Sequence, residues 1–187
     1  HMRSLPGMSV VVPCDALEAK KATITAASYP GPVFLRLGRN PVSLVTKPED
    51  PFAIGTANRL RDGTDVTLIA CGVMVAHALK AADLLATEGL QARVLNFHTI
   101  KPIDEVAVVA AARDTGAIVT AEEHTVLGGL GGAVAEVVVR HQPVPMRFVG
   151  VLDRFGTSGD PAELLRAFHL MPEDIAAAAR DVLRTKR

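Results

Sequence analysis

Residues 117–139, AIVTAEEHTVLGGLGGAVAEVVV, establish the fold class of this chain. The stretch begins with five apolar or small residues, 117–121, which is typical of a buried parallel strand. It ends with apolar residues at helical spacing, namely Ala133, Val134, Val137 and Val138. We therefore predict a strand, a turn and a helix, which is the repeating unit of an α/β protein.

The glycine cluster inside this stretch is a candidate binding feature. Gly128, Gly129, Gly131 and Gly132 can adopt positive φ and leave the first backbone amides of the helix uncovered. Such a turn suits close packing or an anion, so these glycines form a candidate anion-binding turn. A dinucleotide fingerprint is disfavoured, because Val134 stands where a third glycine or an alanine is needed.

Three polar residues, Glu122, Glu123 and His124, separate the strand from the glycines. We expect them in a loop, where an acid/base cluster or a set of metal ligands would be the chemical alternatives. Adjacent loop residues lack the helical spacing of metal ligands, so we predict no metal site. We favour a hydrogen-bonded strand end or an interface histidine.

The alternation of strand and helix recurs along the chain from residue 65. Besides 117–121, apolar runs predict strands at 66–70, 92–97 and 146–151. Helical apolar spacing or helix-capping residues follow each of these runs. The pattern predicts a three-layer α/β fold in which a mostly parallel sheet of about five strands has helices on both faces.

Two connections in this region have their own signals. Residues 53–60, followed by the turn at 61–63, predict a hairpin with the strand at 66–70. Pro102 is predicted to lie in the first turn of a helix that reaches about Arg113.

The first 40 residues predict a separate βαβ unit. Its elements are a strand at 8–12, a helix at 16–27 with Asp15 as its N-cap, and a strand at 33–37. A parallel sheet needs several strands covered on both faces, and this unit begins abruptly. We interpret residues 1–40 as part of a domain whose beginning is missing.

Residues 41–51 are polar and contain Pro41, Pro48 and Pro51, so we interpret them as an interdomain linker. Residues 52–187 contain every βα element needed to cover a sheet on both faces. We expect them to fold as an independent unit, with the first 40 residues less well anchored.

Arg39 is a candidate binding residue, although a lone arginine is more often solvated or paired with a carboxylate. It lies just beyond the carboxyl end of the strand at 33–37, which is where ligands bind in open α/β sheets. Its planar guanidinium could hold a phosphate or a carboxylate through two parallel hydrogen bonds.

Composition excludes several classes of protein. The 187 residues contain 20 basic and 20 acidic side chains, 4% aromatic residues and no Trp, so we expect no nucleic-acid partner. Two cysteines are too few for a disulfide framework. There is no export signal and no apolar run of 18 residues, so we expect a cytoplasmic protein without a membrane partner. His1 and Met2 resemble a cloning remnant.

These motifs together resemble the transketolase family. Residues that resemble the end of its pyrimidine-binding domain are RSLPGM at 3–8, VPCD at 12–15, Glu18, GPV at 31–33 and LGR at 37–39. Residues that resemble its C-terminal domain are DVTLIACG at 65–72, TIKPID at 99–104, EEH at 122–124, GGLG at 128–131, AVAE at 133–136 and DRFGTSG at 153–159. The resemblance covers nearly the whole chain and is closest to the C-terminal subunit of split transketolases.

The resemblance implies an activity, cofactors and partners. The family transfers two-carbon ketol units between sugar phosphates with thiamine diphosphate and a divalent cation such as Mg²⁺, in carbohydrate metabolism and the pentose phosphate pathway. Its active sites lie between the subunits of a dimer. Arg39 matches the arginine that contacts the substrate phosphate, and no catalytic residue of the family matches a position here. We therefore expect an N-terminal partner subunit, a homodimer, and no activity or bound cofactor for this chain alone.

Two other interpretations stay open. The same motifs resemble, less closely, deoxyxylulose-phosphate synthase and the β subunit of 2-oxo acid dehydrogenases. Alternatively, the chain is a noncatalytic module that stabilises a dimer or binds a regulatory anion at the glycine turn.

Overall fold

The protein, described by a computed structural model over residues 1–186, is built from short, mostly parallel strands and from helices. The strands are β1 Ser9–Val11, β2 Val33–Leu35, β3 Asn58–Arg61, β4 Val66–Ala70, β5 Ala92–Asn96, β6 Thr99–Lys101, β7 Ile118–Thr125 and β8 Met146–Val151. The helices are α1 Ala16–Ala26, α2 Met74–Thr87, α3 Glu105–Thr115, α4 Leu130–His141, α5 Pro161–Ala167 and α6 Pro172–Thr185. A 3₁₀ turn at Met2–Ser4 precedes β1.

The main sheet has the order β3-β5-β4-β7-β8. The pairings among β4, β5, β7 and β8 are parallel, and only β3 runs antiparallel. Every residue of β4 is buried, as expected for a central strand. The predicted mostly parallel sheet of five strands is confirmed.

Helices cover both faces of this sheet. Alternate residues of β4 point to opposite faces, as the strand period requires. Leu68 packs in a core cluster with α2 and α6, and Ile69 packs in a second cluster with α3 and α4. The predicted three-layer architecture is therefore confirmed.

The predicted hairpin between β3 and β4 is wrong. β3 pairs with β5 instead, with Asn58 opposite Asn96 and Arg61 opposite Val94. Both sides of β4 are already taken by parallel partners, β5 and β7. The polar, half-exposed sequence of β3, NRLR, suits the edge of the sheet rather than a place beside its centre.

A second sheet joins the amino-terminal unit to the rest of the chain. β1 pairs in parallel with β2, as predicted, and antiparallel with β6. The prediction that Pro102 lies in the first turn of a helix is wrong, because Pro102 lies between β6 and α3 and outside the helix. The Lys101–Pro102 peptide bond is cis. Helix α3 begins only at Glu105, where the Asp104 side chain accepts a hydrogen bond from the Ala107 amide at 2.9 Å and caps the first turn.

Residues 41–51 have no regular secondary structure, but they are held against α1. As predicted, Asp15 caps α1 by accepting from the Glu18 amide at 2.9 Å. Its other oxygen accepts from the amides of Val45 at 2.8 Å and Thr46 at 2.7 Å. This proline-bearing segment is therefore a strap across α1, and the domain boundary expected within it stays a prediction.

Candidate functional site

Arg39 lies where the sequence places it, past the end of β2, and it is exposed. It borders a cavity of about 500 Å³, whose other walls come from the end of β7, the loop after β8 and helix α5. No carboxylate within residues 1–186 forms an ion pair with Arg39. Its five N–H donors are therefore available to a ligand in the cavity.

Arg36 holds this end of β2 against β7. Its backbone amide donates to the Val11 carbonyl at 2.8 Å, which extends the pairing with β1 by one bond. Its guanidinium donates to the Glu123 carboxylate at 3.4 Å and to the Glu123 carbonyl at 3.3 Å. Glu123 also borders the cavity, so its charge there is offset by Arg36.

Glu122, Glu123 and His124 belong to strand β7, so the expectation of a loop is wrong. β7 continues past the point where its regular pairing with β8 ends, and the register shifts between Ala121 and Thr125. The register shift marks an irregularity of the pairing, and such irregularities re-aim side chains near a strand end. The alternative of a hydrogen-bonded strand end describes these residues correctly.

The Glu122 carboxylate is the centre of this strand end. Its side chain is 1% exposed, and its two oxygens accept from the backbone amides of Leu130 and Gly131, each at 2.8 Å. His124 Nε2 lies 3.2 Å from the same carboxylate. Burial raises the pKa of Glu122, while the two amides and His124 act in the opposite direction.

The first amides of α4 thus have an acceptor from the chain itself. The sequence predicted close packing or an anion at the glycine turn. The structure shows close packing around the Glu122 carboxylate, which accepts from the first amides of the helix, and binding of a separate anion at this turn stays a prediction. An external anion would have to displace a buried carboxylate from Leu130 and Gly131. The sequence contains one signal for this contact, namely an acidic residue eight positions before the first residue of the helix, and sequence reasoning did not use it.

Close approach explains two of the four glycines. A Cβ at Gly129 would overlap the Glu122 carboxylate, and a Cβ at Gly131 would overlap the Phe148 ring. Gly128 alone of the four has positive φ, at 76°. Gly132 has ordinary space around it, with the nearest atom, from Arg3, at 3.8 Å.

The described part of the chain contains neither a set of metal-binding side chains nor a membrane-spanning helix. Within residues 1–186, no cluster of three or more His, Cys, Asp or Glu side chains is arranged to hold a metal ion. Over the same residues, no helix combines the length and the hydropathy needed to cross a bilayer.

Comparison with known proteins agrees with this fold. The family described as "Transketolase, C-terminal domain" matches residues 55–175. A 6-deoxy-6-sulfo-D-fructose transketolase subunit from Clostridium sp. strain MSTE9 is 46% identical over 99% of this chain and 58% of its own length. A subunit of an apulose-4-phosphate transketolase from Phocaeicola vulgatus is 41% identical over 98% of this chain and 59% of its own length.

Among solved structures, a split-gene transketolase described as an inactive β4 tetramer superposes with a TM-score of 0.97 at 47% identity. The superposition covers 100% of this chain and 61% of that one. The chain therefore spans about three fifths of the length of these proteins that it matches. The family match covers well over half of the sequence, and the chain belongs to the transketolase C-terminal domain family.

Proposed function

We propose that this chain is the C-terminal part of a thiamine-diphosphate-dependent transketolase, which transfers two-carbon ketol units between sugar phosphates. The observation that carries the proposal is the position of Arg39, an exposed arginine without a carboxylate partner in residues 1–186, at the mouth of a cavity. The relatives of this chain include transketolase subunits named for 6-deoxy-6-sulfo-D-fructose and for apulose 4-phosphate, and both of these sugars carry an anionic group.

In this proposal Arg39 binds the terminal phosphate of the sugar. A guanidinium donates two parallel hydrogen bonds to a phosphate, and these charge-assisted bonds are about twice as strong as neutral ones. The phosphate is remote from the bond that is broken, so Arg39 would bind the ground state and the transition state equally. It is a binding residue, and we assign no catalytic residue to this chain.

The cofactor would be held elsewhere. The candidate anion site built from backbone amides is the start of α4, and Glu122 occupies its Leu130 and Gly131 amides. These residues therefore do not fit the diphosphate of thiamine diphosphate. We propose that an N-terminal partner subunit supplies the cofactor and cation sites, in a homodimeric, cytoplasmic enzyme of the pentose phosphate pathway.

A reconstitution assay tests the proposed function. We expect no ketol transfer from the chain alone, and transfer when the N-terminal subunit, thiamine diphosphate and Mg²⁺ are added. Calorimetric titration of the chain alone should show no tight binding of thiamine diphosphate. Micromolar binding, or a reconstituted complex without activity, would contradict the proposal and favour the noncatalytic module.

The substitution Arg39→Ala tests the role of this residue in the reconstituted enzyme. We expect KM for a phosphorylated acceptor to rise and kcat to change little, because the substitution removes a contact that is equally strong in the ground state and the transition state. A charge-assisted contact is worth about 1.5–3 kcal/mol, which corresponds to roughly 10- to 150-fold in kcat/KM. An unphosphorylated acceptor should lose little.

The alternative is that Arg39 only stabilises the strand end. Then Arg39→Ala would lower the melting temperature and reduce kcat/KM equally for both acceptors. Initial rates with ribose 5-phosphate and with ribose distinguish the two interpretations.

A further inference from the structure

The cavity beside Arg39 contains a second arginine that the assignment of Arg39 leaves unexplained. Arg154 lies in the loop after β8, which has no regular secondary structure. It borders the same cavity of about 500 Å³ as Arg39, although 115 residues separate the two in sequence. The fold therefore brings two arginines to one cavity from separate loops.

Arg154 is held in place by α5 and the residue that follows it. Its guanidinium carbon lies 4.3 Å from the centroid of the Phe168 ring, in cation–π contact. One of its terminal nitrogens donates to the Ala167 carbonyl at 2.7 Å. Neither partner carries a negative charge, so these contacts orient the guanidinium without neutralising it. An oriented cation loses less side-chain entropy when it binds a ligand.

The other residues that line the cavity suit an oxyanion such as phosphate. Thr125 and Thr157 border it with hydroxyl groups, and its one carboxylate, Glu123, is paired with Arg36. Apolar side chains form much of the remaining wall, among them Val151, Leu164, Leu165 and Phe168. Two arginines thus line a cavity with little competing negative charge.

We propose that Arg154 binds the terminal phosphate of the sugar substrate together with Arg39, as the second arginine of one subsite. This inference rests on the proposed function. Each arginine can donate two parallel hydrogen bonds to phosphate oxygens, and a phosphate dianion has enough acceptors for both. The subsite would make the enzyme selective for acceptors with a terminal phosphate over neutral sugars of the same length.

The first experiment compares Arg154→Gln with a matched control, Arg166→Gln. Arg166 lies on α5, is exposed and does not border the cavity. In the reconstituted enzyme, we expect Arg154→Gln to lower kcat/KM for ribose 5-phosphate at least tenfold by raising KM, while kcat for this acceptor stays the same. The value of kcat/KM for ribose should not change. Arg166→Gln should change neither acceptor. Equal losses on both acceptors, or no loss on ribose 5-phosphate, would overturn the inference.

A double-variant cycle tests whether the two arginines share one phosphate. If they do, Arg39→Gln and Arg154→Gln together should cost less than the product of their separate fold-losses, because groups that contact one partner are coupled. A loss equal to that product would overturn the shared subsite. Melting temperatures of all variants confirm that each one is folded under the assay conditions.

A binding measurement separates this inference from the proposed function. If the reconstituted wild type transfers no ketol unit, the proposed function fails, and the subsite is judged by titrating this chain with ribose 5-phosphate in NMR spectra. Shifts of the Gly156 and Thr157 amides that disappear in Arg154→Gln would support the subsite. Absent shifts, or shifts unchanged in that variant, would overturn it.

Discussion

The buried carboxylate of Glu122 links a strand end, a turn and a helix start. Its two oxygens accept from Leu130 and Gly131, and Gly129 leaves the space that the carboxylate fills. A buried acceptor that loses such partners costs about 1–3 kcal/mol of stability. The glycine turn is therefore organised by packing around one side chain.

Glycine-to-alanine substitutions measure this packing residue by residue. We expect Gly129→Ala and Gly131→Ala each to lower the free energy of unfolding by about 1–3 kcal/mol, because a Cβ would overlap Glu122 or Phe148. Gly132→Ala is the matched control, since it has space and gains helix propensity worth up to about 1 kcal/mol. Urea unfolding checks all three. Equal effects at the three positions would show that the close approaches do not matter.

At the scale of elements, Asp15 connects helix α1 to the strap at 41–51. Burial by itself raises the pKa of Asp15, but donors from Glu18, Thr46 and Val45 outweigh burial, and the pKa lies below its usual value of 3.8. A carboxyl group whose pKa is lower in the folded state than in the unfolded state stabilises the fold at pH values above its pKa in the unfolded state. That contribution is lost as the pH falls through the folded pKa.

The variant Asp15→Asn tests this connection. Asn caps helices about as well as Asp, so the cap on α1 should persist. The charged acceptor for the amides of Val45 and Thr46 is lost, and we expect the free energy of unfolding at pH 7 to fall by about 1–3 kcal/mol. The difference from wild type should shrink as the pH falls below 3.8. Asp160→Asn, at the exposed cap of α5, should show little change. A difference between Asp15→Asn and wild type that does not depend on pH would contradict the charged-acceptor explanation.

At the scale of the whole molecule, exposed irregular backbone is concentrated in two segments. Residues 37–44 and 152–160 are exposed and have no regular secondary structure. Few buried contacts hold such backbone, so it opens at low free-energy cost. We expect limited proteolysis to cut these segments before any bond between residues 66 and 151. An earlier cut inside 66–151 would contradict both this ranking and the independent unit proposed for residues 52–187.

Much of the architecture follows from local patterns in the sequence. The buried run at 66–70, the helix over 74–87 and the caps at Asp15 and Asp160 all have signals within a few residues, because they depend on side-chain periodicity and neighbouring hydrogen bonds. The family resemblance rests on such motifs as well. Local signals were therefore enough to establish the fold class, and Arg39 became the leading site candidate through the family resemblance.

Features that depend on partners distant in sequence required the three-dimensional arrangement. β3 is an edge strand beside β5 because β4 has no free side, and β6 exists because β1 offers it an edge. Glu122 occupies the glycine turn, and Arg154 reaches the cavity of Arg39, because separate loops converge at the ends of the strands. Which side chains meet there depends on chain topology, and local periodicity carries no information about it.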